Sequence, residues 1–382
     1  MAQLIIAEKP KAAGRIAYAL ADDKPDKKNK GKAVWYEMTV GNEETYVVPA
    51  VGHIFSLEQK GKGWDYPVFD IEWKPTFEVQ DGSKWMKNYY DNLRKMANKA
   101  DKFINACDYD QEGSVIGYNV LKFIVGTENA GRMKFSTLTT SDLQEAYEET
   151  SDELDMPMVE SGLARHILDW FWGINLSRAL TLSIKNNTNI FKVLSTGRVQ
   201  GPTLKILAER EREIQAFEPE DYWVLEALLQ KNKDRIEAYH EKDKFWEEDE
   251  AKEIKEKCEN NDAKVAKVKR NKYKHNPPYP FDLSTLQTEA YSAFGITPSK
   301  TLDIAQSLYE SGLISYPRTS SQKLPPKIGY KKILKKIKNQ NDYEPLAKKV
   351  LDKSKIYPRQ GKKEDKAHPA IYPTGSKPKK LN

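Results

Sequence analysis

Two segments in the first third of the chain share one pattern. A short run of apolar residues is followed by a polar turn and then by apolar residues at helical intervals. They read "QLIIAEKPKAAGRIAYAL" (3–20) and "ADKFINACDYDQEGSVIGYNVLKFIVG" (100–126). Each pattern predicts a strand, a loop and a helix, with the second strand at Lys102–Cys107. Strands that alternate with helices predict a mainly parallel sheet, whose functional loops lie at the carboxyl ends of its strands.

Helical spacing dominates from about Thr140 onward. It is clearest in "VESGLARHILDWFWGINLSRALTLSIK" (159–185) and in "GPTLKILAEREREIQAF" (201–217). Further on, the alternation in "YWVLEALLQ" (222–230) and "KVAKVKRNKY" (264–273) predicts strands on either side of an acidic helix.

The segment 276–322 predicts two helices joined by a short turn. Ser284 with Gln287 is typical of a capping box, and Thr297 followed by a proline begins the second helix. Gly312 ends that helix, and Tyr316 follows in a predicted strand. The order of elements is compatible with a helix-turn-helix unit.

These patterns predict a multidomain fold, α/β at first and mainly α afterwards. A chain of 382 residues is long enough for two to four domains. The predicted parts are an α/β domain, a helical domain, a β-containing domain, a helix-turn-helix-like domain and a basic tail, at 1–150, 151–218, 219–275, 276–375 and 376–382.

Composition narrows the class of protein. No apolar run is long enough to span a bilayer, and the start of the chain lacks a secretory signal, so we expect a cytoplasmic protein. Cys107 and Cys258 are too far apart in sequence to indicate a disulfide framework or zinc site. The net charge of +6 is modest, and the lysine-rich runs near the carboxyl end fit solvated faces as well as phosphate contacts.

Three acids follow the second predicted strand, at Asp108, Asp110 and Glu112. Such hard oxygen ligands suit Mg²⁺, which takes one or two protein carboxylates together with phosphate oxygens and water. A solvated acidic loop is the alternative.

Glu8 and Lys9 follow the first strand, where a carboxyl of raised pKa could act as a general acid and a lysine could neutralise phosphoryl charge. Taken alone, that pair fits an exposed turn better.

Tyr316 is a candidate nucleophile with Arg318 two residues away. In an extended segment the two side chains share a face, and a guanidinium matches two phosphate oxygens. On this motif alone, a tyrosine packed on its neighbouring proline is the favoured interpretation. Arg198 and Gln200 precede a Gly-Pro helix start that could contact phosphates, whereas a lone histidine such as His368 is more often structural.

Taken in order, these segments resemble the type IA DNA topoisomerases, and more closely the topoisomerase III-like and archaeal topoisomerase I branch. The resemblance spans nearly all of residues 1–375. It is carried by "LIIAEKP", "VGHIFSL", "DYDQEG", "RMKFSTLT", "ARHILDWFWGINLSRAL", "LSTGRVQGPTL", "PPYPFDLSTLQTEA", "ITPSKTLDIAQSLYESGLISYPRTSS" and "AHPAIYPTG".

The resemblance implies a Toprim domain at 1–150 and a toroidal gate of further domains that closes around DNA. It implies that Tyr316 attacks a DNA phosphodiester to leave a 5′-phosphotyrosine, with Glu8 as the acid and with Lys9 and Arg318 stabilising charge. It also implies Mg²⁺ at the three acids, and relaxation of negatively supercoiled DNA without ATP. Residues implied to line the DNA path are His53, Arg132, Arg165, Asp169, Arg198, Gln200, Thr285, Gln287 and His368.

Three departures from the family pattern stand out. Ser320 replaces an acid, Gln111 replaces a common arginine, and the chain ends at Asn382, where family members continue. We therefore expect a fragment or one half of a split enzyme, whose second polypeptide supplies the remaining gate and zinc modules. Other interpretations are a different Toprim enzyme such as a primase or nuclease, a DNA-binding fragment without turnover, and the topoisomerase half of a reverse gyrase.

Overall fold

The computed structural model describes residues 2–378, so the last four positions of the predicted basic tail lie outside it. The chain divides into two compact units, one formed by residues up to 197 together with those from 277 onward, and one formed by 198–276. The finer four-domain division stays a prediction. No helix within the described residues is both long and apolar enough to cross a membrane.

A six-stranded mixed sheet forms the centre of the first unit, in the order β2-β3-β4-β1-β7-β8. Strand β1 is parallel to both of its neighbours, β4 and β7, and β8 extends the parallel part. The predicted mainly parallel sheet is therefore confirmed. The strands are β1 Ala2–Ala7, β2 Asp26–Lys30, β3 Ala33–Val40, β4 Glu43–Pro49, β7 Lys102–Ala106 and β8 Gly131–Arg132, and a separate hairpin is formed by β5 Phe55–Gln59 and β6 Ile71–Pro75.

Strand β1 is buried on both faces, which explains its unbroken apolar run. Leu4 and Ile6 pack into one hydrophobic cluster, whereas Ile5 and Ala7 pack into another on the opposite face. Tyr316 belongs to the second cluster, although it lies more than three hundred residues along the chain. The segment that carries the candidate nucleophile is thus part of the core of the first unit.

Helices cover both faces of the sheet and continue beyond it. The 33-residue α6 is the longest. The helices of the first unit are α1 Pro10–Leu20, α2 Thr76–Val79, α3 Lys87–Ala97, α4 Gln111–Val120, α5 Thr140–Glu148, α6 Met156–Thr188, α9 Leu283–Phe294, α10 Pro298–Glu310, α11 Tyr330–Lys338 and α12 Glu344–Leu351.

The two helices before Tyr316 are present as predicted, but the cap of the first helix differs from the prediction. Helix α9 is capped reciprocally by Asp282 and Thr285, because the Asp282 carboxylate lies one turn before the backbone N–H of Thr285. Ser284 and Gln287 therefore do not form the predicted box. Thr297 caps α10 as expected.

The segment 313–319 is not a strand, although Ile314 forms an isolated antiparallel bridge with Pro373. Its main chain makes hydrogen bonds to several separate segments. The Tyr316 N–H donates to the Ser136 carbonyl at 2.8 Å, and the Ser315 N–H donates to the Tyr372 carbonyl at 2.9 Å. The alternative of a tyrosine at the end of a strand is therefore wrong in its secondary structure, though correct in the burial of the side chain.

The second unit contains helix α7 Gln200–Gln215, the antiparallel hairpin of β9 Glu226–Lys231 and β10 Asp234–Tyr239, and helix α8 Glu248–Cys258. The acidic helix and the strand before it match the prediction. The run 264–273 forms no strand, because its alternating lysines and valines are all exposed and pair with no neighbouring strand.

Gly113 fixes how the acidic loop meets α4. A Cβ at this position would lie 2.1 Å from the main-chain oxygen of Asp108, which cannot move aside as a flexible side chain would. The loop therefore packs its backbone directly against the first turn of the helix, and only glycine allows this approach.

We expect Gly113→Ala to lower the free energy of unfolding by about 1–2 kcal/mol. Alanine favours a helix by up to about 1 kcal/mol over glycine, but overpacking against a fixed backbone atom costs about 1–3 kcal/mol or more. Urea denaturation followed by circular dichroism measures the change. The control is Gly82→Ala, where a Cβ meets nothing within 4 Å. Equal stability of the two variants would contradict the packing argument.

Candidate active site

The parallel strands β1 and β7 are neighbours, so the residues that follow them meet at one edge of the sheet. Glu8 and Lys9 follow β1, and Asp108 and Asp110 follow β7. Asp110 also caps α4, because its Oδ1 accepts a hydrogen bond from the Gly113 N–H at 2.7 Å. The cap holds the second acid in a defined orientation beside the first.

Tyr316 lies directly against these acids. Its side chain is 2% exposed, and its hydroxyl donates a hydrogen bond to Oδ2 of Asp110, a residue 206 positions earlier. The rings of Tyr309 and His368 pack around it, with centroids 5.3 and 4.4 Å from that of Tyr316. The candidate nucleophile and the candidate metal acids are therefore neighbours in space.

Tyr309 is a functional candidate that the sequence analysis missed. It is buried on α10, and its hydroxyl donates to Oδ1 of Asp108 at 2.8 Å. The spacing of Thr301, Ala305 and Tyr309 marks one buried helix face and could have indicated burial. Nothing in that spacing reveals the carboxylate partner, because the partner lies 201 residues away.

Burial changes the charge of the acids. It raises the pKa of Glu8 to about 8, and the negative charge of Asp108 adds to the effect. Burial also raises the pKa of Asp108 to about 6, although the Tyr309 hydrogen bond and Lys9 favour its charged form. Glu8 therefore keeps its proton near neutral pH, which a general acid requires.

Lys9 lies between two carboxylates. Its Nζ is 3.5 Å from Glu8 Oε1 and 3.6 Å from Oε1 of Glu310 on α10. The lysine therefore links the edge of the sheet to the tyrosine-bearing segment. Arg318, by contrast, is exposed, while Tyr316 is buried, so the structure does not bring these two side chains to a common face.

The phenol of Tyr316 is neutral in this arrangement. Burial raises its pKa well above the ordinary value, and the charges of Asp110 and Asp108 raise it further. A buried phenol beside carboxylates is the opposite of an activated nucleophile. Cations at the site would be needed to reverse this balance.

His368 lies inside the site and not on an open surface. Burial lowers its pKa to about 4, so the imidazole is neutral. Its Nε2 donates to the main-chain oxygen of Tyr109 at 3.0 Å, which leaves Nδ1 to accept from the Ser136 hydroxyl at 3.1 Å. The predicted contact of His368 with DNA is not available in this arrangement, because both nitrogens are engaged and the ring packs on Tyr316.

Glu112 is turned away from the other two acids. Its Oε2 is 2.7 Å from Nε2 of His53 and 3.2 Å from Nε2 of His166. These hydrogen bonds hold the pKa of Glu112 well below its usual range, and the bond from His166 has the larger effect. The structure therefore brings Asp108 and Asp110 to Tyr316, but places Glu112 in a second cluster.

Comparison with known proteins identifies the family. Residues 153–382 match a family described as DNA topoisomerase, and residues 3–138 match the Toprim domain. The chain belongs to the type IA DNA topoisomerase family. It is 49% identical over 378 residues to DNA topoisomerase 1 of Pyrococcus horikoshii, covering 98% of this chain and 55% of that protein.

Other members of the family give the same picture. The chain is 49% identical to DNA topoisomerase 1 of Methanocaldococcus jannaschii over 377 residues, covering 97% of this chain and 48% of the relative. The solved structure of full-length topoisomerase I from Thermotoga maritima is 27% identical, with a TM-score of 0.65, and the match covers 97% of this chain and 55% of that one. The chain thus spans about half the length of the topoisomerases it matches.

The acids of this topoisomerase chain fit a magnesium ion. Asp108 and Asp110 offer hard oxygen ligands, and the raised pKa values of Glu8 and Asp108 reflect burial together with like charges, which a dication would offset. Asp108 and Asp110 would hold the ion, and Glu112 would join them only after leaving its two histidines.

Arg132 does not occupy the position predicted for it in the topoisomerase DNA path. It is 1% exposed, and its guanidinium donates to the main-chain oxygens of Asn105, Cys107, Asp108 and Met133 at 2.8–2.9 Å. These bonds fix the loop that carries the acids. The side chain has no access to solvent in this structure, so a direct contact of Arg132 with DNA stays a prediction.

The other predicted DNA-path residues remain predictions. Arg165 lies 3.7 Å from Glu112 and 3.9 Å from Asp169 on α6. The Thr285 hydroxyl is used in the cap of α9, and the Gln287 amide donates to the Pro298 carbonyl at 3.1 Å. Arg198 and Gln200 belong to the second unit.

We expect the free energy of unfolding to depend on pH through the protonation of Glu8. In the unfolded chain Glu8 titrates near 4.5, and in the folded chain near 8, so the folded state binds more protons between these values. The free energy of unfolding therefore falls as the pH rises through that window. Glutamine does not titrate, so Glu8→Gln lacks this loss of stability. The free energy of unfolding of Glu8→Gln minus that of the wild type should therefore increase by on the order of 3 kcal/mol between pH 5 and pH 8.5.

Urea denaturation in EDTA at both pH values measures the effect. Glu148→Gln, on the exposed face of α5, is the matched control and should show no such pH-dependent gain. A gap between wild type and Glu8→Gln that stays constant with pH would contradict the raised pKa.

Proposed function

We propose that this chain performs the DNA cleavage and religation chemistry of a type IA topoisomerase, with Tyr316 as the nucleophile. The observation that carries the proposal is the Tyr316 hydroxyl bonded to Asp110, beside a protonated Glu8 and a buried Asp108. Sequence segments hundreds of residues apart meet there, and together they supply a nucleophile, an acid and two ligands for a metal ion. The membership of the family supports the same reaction.

The cleavage step follows from these groups. Tyr316 Oη forms a bond to the phosphorus of a DNA strand while the bond from phosphorus to the 3′ oxygen breaks. The electron pair leaves with that oxygen, which takes the proton of Glu8. The phenolic proton passes to Asp110, which already accepts it in a hydrogen bond. The products are a 5′-phosphotyrosine and a free 3′-hydroxyl.

Religation is the reverse reaction. The 3′-hydroxyl attacks the phosphotyrosine and gives its proton to Glu8, while the bond from phosphorus to Tyr316 Oη breaks and Asp110 returns a proton to that oxygen, so that Tyr316 leaves as the phenol. Because one ester is exchanged for another of similar energy, the cycle needs no ATP. Combined with strand passage through a complete gate, this cycle would relax negatively supercoiled DNA, whose torsional energy drives the change.

Cations complete the electrostatics of the site. Lys9 is placed to neutralise phosphoryl charge, and Arg318 could do so from its exposed position once a strand is bound. Magnesium held by Asp108 and Asp110 would offset negative charge at the phosphate. With these charges present, the phenolate of Tyr316 becomes less costly to form.

The arrangement described here is closed. Tyr316 is buried against Asp110 and His368, so a DNA strand reaches it only after the tyrosine-bearing segment moves. We propose that this movement is part of the gate through which a second strand passes, and that regions beyond the matched half of the relatives complete the gate. The expected second polypeptide carrying these regions stays a prediction.

We expect Tyr316→Phe to abolish covalent DNA trapping. The substitution keeps the ring in its apolar surroundings and removes the attacking oxygen, so adduct formation should fall by at least about 1000-fold. Incubation with a 5′-labelled and, separately, a 3′-labelled single-stranded oligonucleotide in Mg²⁺, followed by denaturing electrophoresis, measures the adduct and its polarity.

Binding of the same oligonucleotide should persist in Tyr316→Phe. The matched control is Tyr343→Phe, a change at a 55% exposed tyrosine, which should leave the adduct unchanged. An adduct that survives in Tyr316→Phe would refute the assignment of the nucleophile.

The chain alone should cleave single-stranded DNA but fail to relax negatively supercoiled plasmid. Cleavage needs only the site assembled in the first unit, whereas strand passage needs a closed gate. Agarose electrophoresis of plasmid incubated with the chain and Mg²⁺ tests this directly. Complete relaxation by the purified chain would overturn the proposal that further regions are required.

A further inference from the structure

The carboxylate of Glu112 lies between two imidazoles, in a cluster apart from Tyr316, Asp108 and Asp110. His53 and His166 both direct Nε2 at the same oxygen, Oε2, at 2.7 and 3.2 Å. One possible ligand atom from each of the three residues lies within 4.8 Å of the others. Within residues 2–378, this is the one group of three histidine, cysteine or acidic side chains with that property.

Three separate elements orient these side chains. His53 follows β4, and its carbonyl accepts a hydrogen bond from the Thr76 hydroxyl at 2.9 Å. Glu112 is in the first turn of α4. His166 is on α6, where its ring packs on Trp73 and His53 with centroid distances of 5.8 and 4.6 Å. The cluster is therefore held by the fold and does not depend on a single flexible loop.

The separations match those of ligands around one small ion. Two atoms that each lie about 2.0–2.1 Å from a tetrahedral Zn²⁺ are roughly 3.4 Å apart. Nε2 of His166 and Nε2 of His53 lie 3.2 and 2.7 Å from Oε2 of Glu112, so an ion would fit after these side chains separate by less than about 1 Å. The side chains of His53, Glu112 and His166 are 30%, 34% and 27% exposed, so an ion and a fourth ligand can reach them from solvent. Nδ1 of His53 makes no hydrogen bond within the described residues. Nδ1 can therefore carry the ring proton, which leaves the lone pair of Nε2 available for a metal ion.

We propose that His53, Glu112 and His166 form a binding site for a divalent transition-metal ion of the Zn²⁺ class. Two imidazoles and one carboxylate suit Zn²⁺ or Co²⁺, whereas Mg²⁺ prefers oxygen ligands and water. Arg165, which would repel a bound cation, is the arginine or lysine paired with Glu112 among residues 2–378, and its guanidinium is 3.7 Å from Oε1. Because it faces the other oxygen of Glu112, Oε2 stays directed at the imidazoles.

Occupation of this site would have a consequence for cleavage, and this step rests on the proposed function. Glu112 cannot serve a transition-metal ion between the two histidines and also join Asp108 and Asp110 around magnesium. Zn²⁺ should therefore slow Mg²⁺-dependent cleavage by retaining Glu112 in the histidine cluster.

The test uses the whole chain without a histidine tag. Titration calorimetry with Zn²⁺ and visible absorption with Co²⁺, both without Mg²⁺, should show one ion bound per chain. His166→Gln and His53→Gln should each weaken Zn²⁺ binding by at least about 10-fold, because each removes a ligand. His275→Gln changes an exposed histidine of the second unit and should leave binding unchanged. Circular dichroism confirms that each variant is folded.

Two results would overturn the metal site: no stoichiometric binding to the wild type, or equal binding to wild type and His166→Gln. Adduct formation in Mg²⁺ alone, measured on the same preparation, separates this test from the proposed function. A chain that forms the adduct but binds no Zn²⁺ contradicts only the metal site. Inhibition by Zn²⁺ that is weaker in His166→Gln than in His275→Gln would support the consequence for cleavage.

Discussion

Two hydrogen bonds from tyrosines to buried carboxylates hold the active site together. Tyr316 donates to Asp110 and Tyr309 donates to Asp108, across 206 and 201 residues of sequence. Bonds of this kind to charged groups contribute about 1.5–3 kcal/mol each, and breaking one leaves a buried carboxylate without its donor. The docking of the tyrosine-bearing segment on the sheet therefore determines both the geometry and the charge of the site.

The docked segment also sets the protonation of the site in this closed arrangement. By covering the sheet edge, it raises the pKa values of Glu8, Asp108 and Tyr316 together. A protonated Glu8 is useful for cleavage, whereas a neutral Tyr316 is not. Cations that arrive with the bound phosphate would make the phenolate of Tyr316 easier to form. Substrate binding and activation of the nucleophile would therefore be coupled through the charges of the site.

Local pattern was enough to predict the elements that form the site, but not its contacts. The strand, loop and helix around Glu8 and around Asp108 follow from apolar runs and turn residues, and the parallel sheet follows from their alternation. Glu112, by contrast, shares its motif with Asp108 and Asp110 yet faces His53 and His166. The direction of its side chain depends on α6, which no local pattern relates to that loop.

Other site residues depend on contacts that the sequence pattern does not show. Arg132 was expected to line the DNA path because of the resemblance to the family, whereas in this structure four carbonyl oxygens from separate loop and strand positions surround its buried guanidinium. Tyr309 was overlooked because helix periodicity predicts burial without identifying a partner. The segment around Tyr316 was expected to form a strand, but its hydrogen bonds go to several separate segments and not to one neighbouring strand.

The pH dependence of single-turnover cleavage tests the central claim, which is that docking keeps Glu8 protonated so that it can act as the acid. The measurement is the rate of adduct formation on a single-stranded oligonucleotide in Mg²⁺ from pH 6 to pH 10. We expect the rate to fall with increasing pH around pH 8, as Glu8 loses its proton, and this fall to be absent in Glu8→Gln. A rate that stays constant through this range in the wild type, or a fall that persists in Glu8→Gln, would show that Glu8 is not the acid.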